Sequence, residues 1–384
     1  MRTKPLPSLR MALGALLVLP VLLGGAASVS AESYSFRGLG DLSGGLFQSG
    51  AYATSADGTV VVGHGWSSSG WEAFRWTEAE GMVGLGDLPG GVAQSEALGV
   101  SADGSMVVGY SHSSSGMEAF RWTVAGGMVG LGALPGASFL SVAYGVSADG
   151  SAVVGLGNSA TGPEAFRWTD AGGMVGLGES PGEGLSQSNA YGASADGSTV
   201  VGWSSGGAFR WTEATGMVGL GDLPGGVFNS EARGVSADGS VVVGQGSVSS
   251  GSEAFRWTEA GGMIGLGDLP GGSFGSHALG TSANGSVVVG LSNSSSGEEA
   301  FIWDDLNGMR AVRQLLIDEG IDMTGWDLEV VRAVSGDGLT LVGEGTNPSG
   351  NSEAWMATIP EPSTATLIFV GLIGMSLRRR AKSL

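Results

Sequence analysis

The sequence predicts an all-β protein, a seven-bladed β-propeller of four-stranded blades, and three observations carry that expectation. A unit of about 46 residues recurs along the chain, which is the length of one propeller blade. Two markers inside the unit, an Asp-Gly turn and a tryptophan, each count seven. The array also begins with an orphan copy of a strand that its final unit lacks.

The turn marker stands at Asp57, Asp103, Asp149, Asp196, Asp238, Asn284 and Asp337, each followed by glycine. The tryptophan marker is read at Trp76, Trp122, Trp168, Trp211, Trp257, Trp303 and Trp355. Strand one of a unit runs through residues such as 97–101, and the Asp103-Gly104 pair after it reads as a type I′ hairpin turn. Strand two is an apolar run such as Val60-Val61-Val62, the pattern of a strand covered on both faces. Strand three, as in Glu72-Ala73-Phe74-Arg75-Trp76-Thr77, alternates, so Phe74 and Trp76 share the face that packs between blades. Strand four covers 81–88 and stops at Pro89-Gly90-Gly91.

The seventh unit ends at Thr358 without a fourth strand, and Phe36-Arg37-Gly38-Leu39-Gly40-Asp41-Leu42 supplies a copy of it at the other end of the chain. Shared between the termini, that strand completes the last blade and removes two exposed sheet edges. An open solenoid would carry atypical caps instead. The repeat is interrupted after Gly308, where Val312, Leu315 and Leu316 have helical spacing and Gly320 stops it. A short helical insert over 311–319 and a strand over 328–334 are expected there, the insert packing Leu315 and Trp326 on the rim.

Composition agrees with this and limits function. Glycine accounts for 73 of 384 residues, which disfavours helices and supplies turns. A net charge of -19 argues against a nucleic-acid partner, since phosphate binding needs clustered Lys and Arg. With no cysteine, stability rests on burial and ring closure.

Both ends are addresses. Arg2, Lys4 and Arg10 precede an apolar run from Met11 to Leu23 and small residues ending in Val29-Ser30-Ala31, so residues 1–31 read as a signal peptide cut after Ala31 by signal peptidase. At the other end, Pro360-Glu361-Pro362 precedes an apolar segment, 364–377, and then Arg378, Arg379 and Arg380. Its apolar core of 13 residues, Ala365 to Leu377, would rise about 20 Å as a helix, short of the ~30 Å hydrocarbon core. It suits transient membrane association, with the basic end in the cytoplasm and the propeller outside. This tail, 360–384, resembles the PEP-CTERM sorting signal. The resemblance implies cleavage near Pro360–Pro362 by an exosortase, in a Gram-negative bacterium that makes extracellular polysaccharide. The words "GVSADGSVVVG", "EAFRWT" and "GMVGLGDLPGG" between them resemble the HAF family of extracellular repeats, with Glu-Ala-Phe in place of that family's tripeptide. That resemblance covers residues 34–359 and implies no reaction.

The chemistry search finds no catalytic residues, metal site or cofactor motif. "GLGDLPGG" ends a strand and lacks the Lys-Ser/Thr of a phosphate loop. His64, His112 and His277 occupy different repeat positions without metal spacing. Asp41, Asp87, Asp222 and Asp268 recur at one position that a calcium ring could use, although Asp beside Gly and Pro is ordinary turn chemistry. Glu72, Glu118, Glu164, Glu253, Glu299 and Glu353 read as partners of Arg75, Arg121, Arg167, Arg210 and Arg256, or as caps within blades. In a meander the loops after strands two and four share one face, and one of them carries His64, Trp66 and Trp71, joined there by Tyr110, His112 and Trp203. Those aromatics are the candidate ligand-binding set, because a flat ring can stack on a sugar while polar neighbours take its hydroxyls. The expectation is an exported structural or glycan- or protein-binding propeller of the cell surface or extracellular matrix, and not an enzyme. The alternative is a propeller polysaccharide lyase or hydrolase.

Overall fold

The computed structural model describes residues 33–136, 138–178 and 187–360. The signal segment with Ala31, and the tail from Glu361 with Pro362, the 364–377 segment and Arg378, Arg379 and Arg380, lie outside the described residues. Among the described residues no helix is long and apolar enough to cross a membrane.

The chain is nearly all β, built of antiparallel four-strand sets in a propeller-like succession, with one short helix. Its first set shows the plan: Gly44–Thr54, Val60–Ser67, Gly70–Thr77 and Gly81–Gly84 pair in sequence order. The same order repeats over residues 90–130, 141–176, 188–219, 230–265 and 271–311. A single parallel bridge, Ser252 to Gly275, joins the last two of these into an eight-stranded sheet. The final sheet combines Asp327–Val334, Thr340–Thr346 and Ser352–Thr358 with Ser35–Gly38, the latter paired from Ser35↔Thr358 to Gly38↔Trp355.

Alternation on strand three explains how the sheets stack. Phe120 is fully buried against Val60, Val62 and Ala73 of the preceding sheet, so a large ring meets a small residue and two branched ones. Phe166, Phe209, Phe255 and Phe301 repeat that contact at successive seams. Phe74 makes it against Val342 and Ala354, which sets the first sheet on the last. At the remaining seam Trp355 takes the role, buried against Val289 and Ala300. Trp355 lies opposite Gly343 as Phe74 lies opposite Gly63, so it occupies the phenylalanine position. The tryptophan marker in the last unit is therefore misaligned by two residues, and Ala357 stands where Trp76 does.

Other details also depart from the sequence reading. Among the described residues no non-glycine residue has positive φ, so the Asp-Gly turns are not type I′. Instead Gly104 N–H donates to Ser101 O at 2.9 Å, with Gly104 at φ 69° closing a four-residue loop. Strand four is only four residues long, Gly81–Gly84, and residues 85–88 turn away toward the next sheet. The insert keeps a fourth strand, Gly308–Ala311, before its helix Val312–Asp318, which buries Val312 and Leu316. The strand after it runs Asp327–Val334, with Leu328 fully buried beside Ala300.

The turns that follow strand one hydrogen-bond to one another in a closed circle. Ala56 N–H donates to Ala102 O, Ala102 to Ala148, Asp149 to Ala195, Ala195 to Ala237, Ala237 to Ala283, Ala283 to Gly336, and Gly336 back to Ala56. Strand one is thus the inner edge of every sheet.

Candidate functional site

The inner edge is where the repeat loses its uniformity. Each strand one carries a bulge after its alanine or valine, between Ala51 and Ala53, Ala97 and Gly99, Ala143 and Gly145, Ala190 and Gly192, Ala232 and Gly234, Ala278 and Gly280, and Val331 and Ala333. A bulge leaves one residue out of the ladder and re-aims its side chain. The seven residues so released are Tyr52, Leu98, Tyr144, Tyr191, Arg233, Leu279 and Arg332, all half-buried.

One pair before the bulge, the register sets Gly50, Glu96, Val142, Asn189, Glu231, His277 and Val330 opposite His64, Tyr110, Leu156, Trp203, Gln245, Leu291 and Glu344. His64, Tyr110 and Trp203 therefore share one repeat position. None of them is in a loop. Trp66 and Trp71 are also strand residues, directly opposite each other, with Ser68 and Ser69 between their strands. His112 lies opposite Met117, at the level of Trp66, and no ring contact joins it to the others among the described residues.

The aromatic side chains form two runs. In the first, Arg332 lies 5.1 Å from the Tyr52 ring, Tyr52 is 5.2 Å from His64, His64 4.4 Å from Trp71, and Trp71 4.8 Å from Trp66. In the second, Arg233 lies 4.2 Å over Tyr191, which is 5.1 Å from Tyr144. Ion pairs fix both arginines, Arg233 to Glu231 at 3.0 Å and Arg332 to Glu344 at 3.8 Å. Tyr110 O–H donates to Glu96 at 2.6 Å, and Gln245 Nε2 donates to Glu231 at 3.0 Å. Trp203, Asn229, Glu231, Gln245, Ser247 and Ser252 line a cavity of about 200 Å³. A larger space, about 700 Å³, opens between the first two sheets and is lined by turn and strand residues such as Thr77, Glu80 and Asp103.

Burial shapes the electrostatics of this belt. His64 is 8% exposed, and burial lowers its pKa against the opposing pull of Glu96 and Glu344, so the ring is held neutral. Burial likewise raises Tyr52 and Tyr191 to about 12. Of the eight buried side-chain atoms without a partner among the described residues, three lie in this belt: His64 Nδ1, Gln245 Oε1 and Arg332 Nε. Such atoms are rare in folded proteins unless water or a ligand serves them. A belt of flat rings, amide groups and charge-compensated guanidinium groups can stack on an apolar face and exchange hydrogen bonds with hydroxyls.

The repeated charges elsewhere are structural. Glu72 accepts from Gly86 N–H at 3.0 Å, and Glu118, Glu164, Glu253 and Glu353 do the same for Gly132, Gly178, Gly267 and Gly40. They cap the loop after strand four and do not pair with the arginines of strand three. A Cβ on Gly84 would meet the Glu72 carboxylate, which would have to shift from its bond to Gly86. Arg167, Arg210 and Arg256 donate instead to Gly197 O, Gly239 O and Gly285 O of the next sheet. Asp222 closes its own loop, accepting from Leu223 N–H and Asn229 N–H at 2.8 and 2.7 Å. No group of three His, Asp or Glu among the described residues is placed to hold a metal.

Sequence reasoning named His64, Trp66, Trp71 and Tyr110 as candidates and did not name their neighbours Tyr52 and Arg332, nor Tyr144, Tyr191 and Arg233. Part of the signal was present: five units read Ala-x-Gly here, with Ala-Tyr-Ala at Tyr52 and Val-Arg-Ala at Arg332, and the middle residue changes from unit to unit.

Comparison with known proteins gives a sorting signal and a fold. A family model described as the PEP-CTERM protein-sorting motif matches residues 358–380. No curated protein matches the chain. Oligogalacturonate lyase from Vibrio parahaemolyticus is similar in structure, with TM-score 0.53, 9% identity, and 86% of this chain and 98% of that one covered. TolB from Acinetobacter baumannii gives TM-score 0.42 and 13% identity over 68% of this chain, which spans only 62% of that protein's length. A TolB from Agrobacterium tumefaciens gives 0.41 and 16% over 70% and 91%. The PEP-CTERM motif implies an exported chain that an exosortase processes.

Proposed function

We propose that the chain is an exported seven-bladed propeller of the cell surface or extracellular matrix that binds glycan at the inner edge of its blades. Signal peptidase cleavage after Ala31 and exosortase cleavage near Pro360–Pro362 would free the propeller, 32–359, from a transient hold on the membrane. One observation supports the binding role above the others. The units are almost interchangeable at their seams, turns and caps, yet they differ at the bulge and at the pair before it. A purely structural ring has no use for such variety along its inner edge. Extracellular polysaccharide is the partner that the aromatic run Tyr52–His64–Trp71–Trp66 suits.

The test is binding of the host's own polysaccharide to the exported protein and to its Trp66→Ala/Trp71→Ala variant. Two lost stacking faces should weaken binding about 10- to 100-fold while the melting curve stays cooperative. Undiminished binding by the variant refutes the placement. The second reading, a propeller lyase or hydrolase, draws on the buried, unpartnered His64 Nδ1, which could exchange a proton with substrate. Release of shorter sugars in the same assay would favour it.

A further inference from the structure

We infer that the inner belt selects uncharged sugars over uronic acid polymers, an inference that rests on the glycan-binding reading above. The belt holds two cations, Arg233 and Arg332, and each already faces a resident carboxylate. Arg233 is paired with Glu231 at 3.0 Å and covers Tyr191, and Arg332 faces Glu344 at 3.8 Å and covers Tyr52. A ligand carboxylate would therefore compete with a resident glutamate for the one guanidinium nitrogen, Nη2, that each arginine already gives it.

A third carboxylate, Glu96, has no ion-pair partner among the described residues. Its hydrogen bond comes from the neutral Tyr110 hydroxyl at 2.6 Å. His64 does not redress the balance, because at 8% exposure its ring stays uncharged. Three glutamates thus face two arginines, and an arriving uronate adds a like charge to a partly enclosed site. The whole body reinforces this: residues 33–360 contain ten arginines, no lysine and 34 carboxylates, a balance of -24.

The unpartnered atoms ask for a hydroxyl. Gln245 Nε2 is committed to Glu231, which fixes the amide so that its buried, unpartnered end is Oε1, an acceptor. Only a donor satisfies it. A sugar hydroxyl donates and accepts, so it can serve Gln245 Oε1 and equally accept from Arg332 Nε–H, whereas an ionised carboxylate accepts only. Trp203 and Ser252 enclose the space of about 200 Å³ in front of Gln245.

The experiment is titration calorimetry of the exported protein with neutral glucan, galactan and mannan hexasaccharides and with a galacturonate hexasaccharide, at low and physiological salt. At least one neutral sugar should bind ten or more times tighter than the galacturonate. A Glu231→Gln/Glu344→Gln variant, which uncovers both arginines, should narrow that ratio at least fivefold. Glu96→Gln, bonded through Tyr110 alone, should narrow it as well and serves should the double variant fail to fold. A preference for galacturonate, or a ratio unmoved in a folded variant, overturns the inference and leaves glycan binding standing. Failure of every sugar to bind removes the glycan-binding reading itself, and the inference with it.

Discussion

Six buried serines show how single residues hold neighbouring sheets together. Ser95 O–H donates to Gly86 O at 2.7 Å while its Oγ accepts from Ala73 N–H of the preceding sheet at 3.0 Å. Ser49, Ser141, Ser188, Ser230 and Ser276 repeat the bridge, and Ser49 makes it to Ala354 of the last sheet. Ser95→Ala leaves a buried N–H and a carbonyl unmet and should cost about 1–3 kcal/mol in urea unfolding. Ser69→Ala, in an exposed turn, should change stability by only a few tenths, and equal losses at the two sites would contradict the bridging role. The Asp-Gly turns make a pH prediction. Hydrogen bonds from serine hydroxyls and backbone N–H hold Asp103, Asp196 and Asp238 at about 2, below the ordinary 3.8. A carboxylate with a lowered folded pKa adds stability above its ordinary pKa and loses it as the pH falls toward the folded value. Asn284 makes the same bonds without titrating. The triple Asp→Asn variant should therefore be modestly less stable than wild type at pH 7, with the gap closing between pH 3.8 and about 2 in acid unfolding. The aspartates were legible in the sequence because turn chemistry is local. The serines were not, since Ser near Gly reads as loop and only the next sheet reveals that its hydroxyl is enclosed.

Between strands three and four, one cross-strand pair recurs with its members exchanged. Arg75, Arg121, Arg167 and Arg210 face Val83, Val129, Val175 and Val218, and Arg256 faces Ile264. In the next two sheets Ile302 faces Arg310 and Met356 faces Arg37. An arginine stem laid along an aliphatic side chain works from either strand, provided the head finds an acceptor. Arg256 finds Gly285 O at 3.2 Å, and Arg310 finds Asp304 at 2.6 Å. Ile264→Arg should be destabilising because it sets two guanidinium groups opposite each other, by about 0.2–1 kcal/mol. Arg256→Ile added to it restores an unlike pair, so a double-mutant cycle should show favourable coupling of about 0.5 kcal/mol or more. Strict additivity would show that the pair is incidental. At this scale the sequence was a fair guide to strand three, whose alternation is strong, and to the insert helix. It overran strand four, because Gly-rich segments with scattered Leu carry no period that marks where pairing stops. It also chose the wrong turn, since Asp-Gly suits more than one hairpin geometry and the deciding bond, Gly104 N–H to Ser101 O, comes from backbone.

Closure is a property of the whole ring, and the first and last strands carry it. Residues 34–42 do three things at the last sheet. Ser35–Gly38 supplies its outer strand, paired to Ser352–Thr358. Gly40 donates to Glu353 at 3.0 Å and accepts from Ser49 at 2.6 Å, and Leu39 and Leu42 fill the cluster between first and last sheets beside Phe74 and Met356. That strand could be foreseen because it is a displaced copy of its counterparts, whereas the circle from Ala56 around to Gly336 and back consists of backbone bonds that leave no mark in side-chain identity. Deleting residues 34–42 should leave the other sheets able to form. Losing two buried leucines alone removes about 3–6 kcal/mol, which for a body of this size corresponds to a drop in Tm of about 5 °C or more. The deletion also bares one edge of Ser352–Thr358, an extended apolar strand with unpaired N–H and C=O groups, which is a template for another chain. The truncated protein should therefore melt lower in calorimetry and also self-associate as its concentration rises in light scattering. A truncated protein that stayed monomeric and melted with the wild type would show that the ring closes without sharing its last sheet between the two termini.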